Sequence, residues 1–365
     1  MTVRAHQRQR GRPIGALARQ VVPILLAVSV MALFTMVWQS ADEQSDFAAL
    51  ERDGVRYIQA LGPLEIALTN AGSGAVAGTP AAPDAMNRAV DAVNAVDREL
   101  GERLGARDRW AGLRAKIETL PADGDAAKTI AAYGTASDLL LALMDKVRNS
   151  SKLVRDPDAD LYYLGDGAAQ ELPESIVAAT RYTNLLTSLP GLSAADRAAT
   201  LIDINTAAST LAGNARDLSD DVRLAVEGTG SENLGSALLS RLDRFNRSVD
   251  NLLPLVEPLK TGRGIVDAEQ VSRGRDEMQA AASELSTALL EQIDIGLRDR
   301  IDSYDRRQLL AAGILVISVI LACLPAGLLL VARVRGDRTP RMNDIPAPSP
   351  VSEPEDAMRR RISVP

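Results

Sequence analysis

Residues 309–332 read LLAAGILVISVILACLPAGLLLVA, 24 residues without a charge. At 1.5 Å per residue such a helix reaches about 36 Å, enough to cross a bilayer core with some tilt. Arg333, Arg335, Arg338 and Arg341 follow it, and the positive-inside rule places that end in the cytoplasm. On the other flank Arg306 and Arg307 are accompanied by Asp302 and Asp305. Pro325 is of a kind that membrane helices tolerate, and Cys323 reads as a small lipid- or helix-facing residue.

A second apolar run lies near the other end. Val21–Trp38 is 18 uncharged residues, about 27 Å as a helix. Arg4, Arg8, Arg10, Arg12 and Arg19 precede it with no acid among them. A cleaved signal peptide is the rival reading, but the run is long for one and no small-x-small cleavage site follows. The chain therefore divides into a basic cytoplasmic tail (1–20), a first transmembrane helix (21–38), an extracytoplasmic domain (39–308), a second transmembrane helix (309–332) and a short Pro-, Arg- and Ser-rich cytoplasmic tail (333–365) expected to be disordered. Arginine far outnumbers lysine, which makes up 5 of the 41 basic residues. With abundant alanine this usage suggests a GC-rich bacterial genome, so the expected location is a bacterial plasma membrane.

The two tails hold 12 of the 41 basic and 5 of the 48 acidic residues, which leaves a net charge of −14 on the middle. A domain so acidic does not suit nucleic acid or an anionic lipid surface. One cysteine excludes an intrachain disulfide and a cysteine-based metal site. The single histidine, His6, lies in the basic tail, which argues against His-based zinc and Ser-His-Asp chemistry. No phosphate loop, nucleophile elbow or paired metal ligands occur, so no enzyme, cofactor or metal is expected.

Helical periodicity runs through the middle. Phe47, Leu50, Gly54, Tyr57, Ile58, Leu61 and Leu64 predict a helix continuing out of the first span, ended by a loop at Gly72–Pro83. Met86 to Leu100 marks the next helix; Trp110, Leu113 and Ile117 mark a short one; Ile130–Val154 follows. Asp156-Pro157 restarts a helix, with Asp156 as N-cap and Pro157 in the first turn, and Pro173 kinks it before its end near Leu186. Ser193 caps a helix to Glu227, Gly228–Ser231 turns the chain, and Leu234–Leu259 leads to a Gly262-Arg263-Gly264 turn. From Asp267 one helix should run unbroken into the second span. The expected fold is all-α: an antiparallel helical bundle between two transmembrane helices, built as two stacked four-helix bundles sharing the long first and last helices.

Two stretches carry a resemblance. Glu51-Arg52-x-Gly54-x-x-Tyr57 is similar to the Glu-Arg-x-Gly opening of bacterial sensor ectodomains. Ser151-x-Leu153-x-x-Asp156-Pro157-Asp158-x-Asp160-x-Tyr162-Tyr163-Leu164, with Leu172-Pro173 after it, resembles a stretch in the all-helical extracellular domains of chemoreceptors and sensor kinases, of the helical bimodular or nitrate-sensing type. The motifs cover about thirty residues. The resemblance implies a receptor between two spans, a dimer, and a small-solute ligand. Such receptors continue into a HAMP linker and an output domain; residues 333–365 do not match one, so the expected signal passes to a separate signalling protein.

The candidate ligand residues follow from chemistry. Arg52 and Arg56 share a helix face, and with Arg148, Arg155 or Arg181 they are placed to clamp a small planar anion such as a carboxylate or nitrate. Solvated, salt-bridged surface is the plainer reading of the same arginines. Tyr57, Tyr162, Tyr163 and Tyr182 line a pocket in one reading and pack in the core with the hydroxyl at the rim in the other. Asp156, Asp158 and Asp160 fail the calcium-loop pattern, since Leu161 and Gly167 stand where Gly and Glu belong; they read as caps. Two functions remain open: a membrane receptor for a small solute or partner, and a membrane scaffold that binds another protein outside and has no ligand pocket.

Overall fold

The computed structural model describes residues 14–79, 81–122, 124–229, 232–260 and 267–336. The basic N-terminal tail to residue 13, the Gly262-Arg263-Gly264 turn and the C-terminal tail from residue 337 lie outside these residues. Every regular element described is helical: α1 (Ile14–Val76), α2 (Pro83–Leu100), α3 (Arg107–Glu118), α4 (Ala126–Ser150), α5 (Ala159–Asp166), α6 (Leu172–Ser188), α7 (Ala194–Thr229), α8 (Glu232–Leu252), α9 (Glu257–Lys260) and α10 (Ala268–Gly336). Short 3-10 turns occupy Leu153–Arg155, Leu189–Gly191 and Leu253–Val256, and a π turn occupies Gly167–Glu171.

The chain forms two units. One is Met1–Met36 with Leu310–Pro365. Within it the described large side chains face outward: Leu25, Leu26, Val28 and Leu33 on α1, and Leu310, Ile314, Ile317 and Ile320 on α10. α1 and α10 each carry a stretch long and apolar enough to cross a membrane, and these stretches are almost wholly unburied by protein. Exposed apolar helix suits lipid and not water.

The other unit, Val37–Leu309, holds the core. Tyr57, Tyr182 and Phe245 are fully buried in it with a leucine-rich lining. α6 packs on α4 and α7; α5 and the π turn pack on α7; α7 packs on α8, and α3 on α2 and α4. Buried polar groups lock helix to helix. Tyr57 donates to Asp97 Oδ1 (2.8 Å), joining α1 to α2, and Trp110 Nε1 donates to Asn94 Oδ1 (3.0 Å), joining α3 to α2. Gln279 Nε2 donates to Thr69 Oγ1 at 3.1 Å and to Thr180 Oγ1 at 3.4 Å, tying α10 to α1 and α6. Tyr182 donates to the Leu253 carbonyl at 2.7 Å. This is the core packing of the tyrosines for Tyr57 and Tyr182; Tyr162 and Tyr163 are half-buried and meet edge to face at 5.2 Å.

Helix boundaries depart from the expected ones in four places. α1 runs through Gly72 to Val76, because Gly72 and Gly74 stay helical where neighbours crowd them: a Cβ on Gly72 would lie 2.9 Å from the Tyr133 ring. The helix expected at Asp156-Pro157 starts instead at Ala159. Asp156 is held outside it, its Oδ1 accepting from the Asp158 amide at 2.8 Å. Where a kink at Pro173 is expected, a π turn, Gly167–Glu171, lies just before the proline, which has no amide to donate, and the Leu172 amide bonds the Gly167 carbonyl. Near Pro254 the helix read as Leu234–Leu259 breaks into α8, a 3-10 turn and α9 for the same reason. Ser193 caps α7 as expected, its Oγ accepting from the Asp196 amide at 3.2 Å. Asp267 does so for α10, accepting from the Glu269 amide at 2.9 Å.

Candidate functional site

Gly54 is where the two resemblance motifs meet. A Cβ there would fall 2.2 Å from Ser151 Oγ and 2.3 Å from Ser151 Cβ, so only glycine lets α1 approach the end of α4 so closely. Lys152 turns the chain with a left-handed φ of 68° and lays its ammonium 5.0 Å over the Phe47 ring. Leu153 then packs inward, and Asp156 arrives beside Glu51.

Arg300 of α10 completes this corner. Its Nη1 donates to Glu51 Oε2 at 3.2 Å, and its Nη2 donates to Asp156 Oδ1 and Asp158 Oδ2, each at 2.6 Å. The side chains of Glu51 and Asp156 are wholly buried, and that of Arg300 is 8% exposed. Two ionised carboxylates would leave Glu51 Oε1 and Asp156 Oδ2 without a donor. Burial, and then the Asp156 charge and hydrogen bond, push the Glu51 carboxyl far above its ordinary range. That direction favours a neutral Glu51, whose proton would satisfy the facing Asp156 oxygen beside the Arg300 guanidinium. The corner is a charge-satisfied lock between α1, the Asp156 turn and α10.

A second acidic group surrounds the π turn. Carboxylate oxygens of Asp166, Glu171 and Asp221 lie within 4.8 Å of one another. No metal ligands are expected from the sequence, yet these three are spaced to hold a hard cation. The same crowding can be relieved by protons. Burial and then Asp166 push Glu171 up to about 8, and burial and then Asp166 push Asp221 up to about 6. Arg148 pairs with Asp166 and offsets part of the charge.

A large cleft lies elsewhere, with a volume of about 840 Å³. Its walls come from α1 (Ile58, Glu65, Ile66, Asn70), α2 (Met86, Arg88, Ala89), the end of α3, Tyr133 of α4 and α10 (Ser286, Leu290). The volume is that of a small-molecule site. Glu65 is 2% exposed, and no hydrogen bond or ion pair reaches its carboxyl among the described residues. Burial alone raises it well above the carboxylate range. Asn70 Oδ1 is likewise buried without a donor. Burying such groups unpaired costs about 1–3 kcal/mol each, so this stretch of α1 is held against its own stability.

The residues grouped from sequence as an anion clamp do not share one cavity. Arg52 pairs with Asp294 (2.6 Å), Arg56 with Glu99 (2.8 Å) and Asp53 (3.8 Å), and Arg148 with Asp145 (3.2 Å) and Asp166. Arg155 and Arg181 are exposed. Arg148 borders a small cleft of about 290 Å³ and Arg181 another of about 350 Å³; Arg52, Arg56, Tyr57 and Arg155 border none of the three. The motif residues fare differently: Asp156 and Asp158 are brought together on Arg300, with Pro157 exposed between them, while Pro173 is buried at the start of α6. Sequence reasoning missed Glu65 and Arg300. Glu65 had a signal, since it falls on the apolar stripe of Leu61, Leu64 and Leu68 where a core residue belongs. Arg300 had none: it is one of many arginines on a helix rich in charge. No family model, no curated protein and no solved structure matches the chain.

Proposed function

We propose that this chain is a two-pass receptor of the bacterial plasma membrane, with both termini cytoplasmic and residues 39–308 outside. The outer unit binds a small solute, and a signalling protein on the other side of the membrane reads the result. The observation that carries this reading is the composition of the large cleft: two of its walls are α1 and α10, the helices that contain the apolar stretches. A solute wedged between them changes the relative stability of their possible arrangements, and so biases two states. A solute with a 100-fold preference for one arrangement supplies about 2.7 kcal/mol toward it. The large apolar side chains exposed in the outer unit favour a solute over a protein partner. Among the described residues of 39–308 they are Leu139, Ile202, Leu239 and Ile295, one on each of four helices, whereas a scaffold would use a broad apolar face.

The same reading takes the outer unit as two stacked four-helix bundles sharing α1 and α10. In support, α2, α3 and α4 pack in sequence, α5 to α8 pack in sequence around α7, and α4 meets α6 between the two sets.

The test uses the full chain in lipid nanodiscs, with spin labels at Gln44 on α1 and Arg306 on α10, both exposed. A solute library is screened for a rise in melting temperature, and each hit is examined for a change in the distance between the labels. A hit that stabilises the protein and shifts the distance supports the receptor. Hits that leave the distance unmoved, or a cooperatively melting protein that no solute stabilises, favour the scaffold reading.

A further inference from the structure

We infer that the cleft beside Glu65 is built for a compact organic amine, an ammonium carried on an apolar body. This rests on the receptor reading and names its ligand class. The argument is one of complementarity. The buried orphan atoms in the wall are both oxygens, Glu65 Oε1 and Asn70 Oδ1, and with Glu65 as the carboxylate a single hydrogen-bond donor satisfies both. The remaining wall is mostly apolar, with Ile58, Ile66, Met86 and Leu290, so the donor must be carried on a hydrocarbon body. An anion would meet the Glu65 carboxyl with no buried cation to offset it. The one basic group in the lining, Arg88, is exposed. An uncharged apolar solute would seal both acceptors away unsatisfied. An ammonium gives Glu65 a charge-assisted partner, the strong kind of hydrogen bond in a dry site. The net charge of −14 on the residues between the tails draws cations toward this unit from solution.

The chemistry has a signature that balances. Burial raises the Glu65 carboxyl well above the carboxylate range and so favours its protonated form in the free protein; an arriving ammonium ion pairs with the carboxylate, and the carboxyl proton is released to buffer. The other ionisable groups lining the cleft are Arg88 and Tyr133, and burial pushes the Tyr133 hydroxyl above its ordinary range. Amine affinity therefore rises with pH for as long as free Glu65 remains protonated.

The full chain in nanodiscs is titrated with n-hexylamine and 2-phenylethylamine, and with hexanoate and hexan-1-ol as matched acid and alcohol. Melting temperature reports stabilisation, and calorimetry in buffers of different ionisation enthalpy counts protons. The expected result is binding by the amines over the acid and the alcohol, release of about one proton per amine bound, and a loss of about tenfold or more in Glu65→Gln. Asn70→Ala should weaken the amine less and leave proton release intact. If hexanoate or hexan-1-ol binds as well as the amines, if no proton is released, or if Glu65→Gln binds normally, the amine assignment falls while the receptor stands. If no probe binds a cooperatively melting protein, the amine assignment is overturned, and the receptor is judged separately by the library screen and label distances above.

Discussion

Arg300 and Glu65 are both buried ionisable residues on the two long helices, and they sit in opposite circumstances. Arg300 is surrounded by Glu51, Asp156 and Asp158, with each contact at hydrogen-bond distance. The Glu65 carboxyl has no hydrogen-bond partner among the described residues, and burial raises its pKa. One corner is therefore balanced within the chain, while the other is balanced only if something outside the chain supplies a donor. Proteins tolerate a destabilising buried group where function needs it. The contrast separates a lock between α1 and α10 from a cleft whose buried acid is left unpaired among the described residues.

The contrast breaks most clearly at the lock. Arg300→Ala should cost about 3–5 kcal/mol, because it leaves Asp156 charged and buried beside Glu51. A change in the denaturation midpoint of the full chain below about 1 kcal/mol would mean the lock is not formed. Gly54→Ala should cost about 1–3 kcal/mol by forcing a methyl into Ser151, and adding Ser151→Gly should recover part of the loss. Recovery by the second change would separate a steric cause from a helix-propensity one, which predicts that alanine stabilises.

At the cleft the sign reverses. Glu65→Leu should raise stability by about 1 kcal/mol or more while abolishing amine binding, since it removes an unpaired buried acid and leaves no acceptor. A destabilised Glu65→Leu protein would show that Glu65 has a partner after all.

The π-turn acids are intermediate, and pH sharpens them. Glu171 is pushed up to about 8 from an ordinary value of 4.5, so the folded protein binds its proton more tightly than the unfolded chain does. Its contribution is complete below about pH 4.5 and is lost as pH rises toward about 8. The melting temperature should fall between pH 6 and 9, and Glu171→Gln should flatten that fall. A cation at the three carboxylates would have the opposite effect, so calcium added at pH 8 to the unaltered protein discriminates protons from metal. The smallest effect belongs to Arg56→Ala, at or below about 1 kcal/mol in thermal denaturation, because Arg56 and Glu99 are both solvent-exposed.

Much of this was legible before any coordinate. The Glu51 to Tyr57 and Ser151 to Leu164 stretches stand out as motifs in the sequence, and they are the two sides of the Gly54 contact and the Arg300 lock. The arginine group was less readable. Arg52 and Arg56 do lie on one helix, but each finds an acid on another helix, Asp294 or Glu99, before any solute could claim it. In a chain with 41 basic and 48 acidic residues, an arginine is matched more easily than it is left free.

The sequence by itself determined the helical fold, the two apolar stretches and the acidic unit between them. Those properties are one-dimensional: a 3.6-residue period, a run as long as a bilayer is thick, and a count of charges. Only the tertiary structure decided that Arg300 meets Glu51 and Asp156, and that the Glu65 carboxyl finds no hydrogen-bond partner among the described residues. Those outcomes depend on the rotation and register of long helices against one another. A fraction of a turn decides whether a carboxyl faces a guanidinium, water or a leucine, and residues 249 apart in sequence carry no local mark of it.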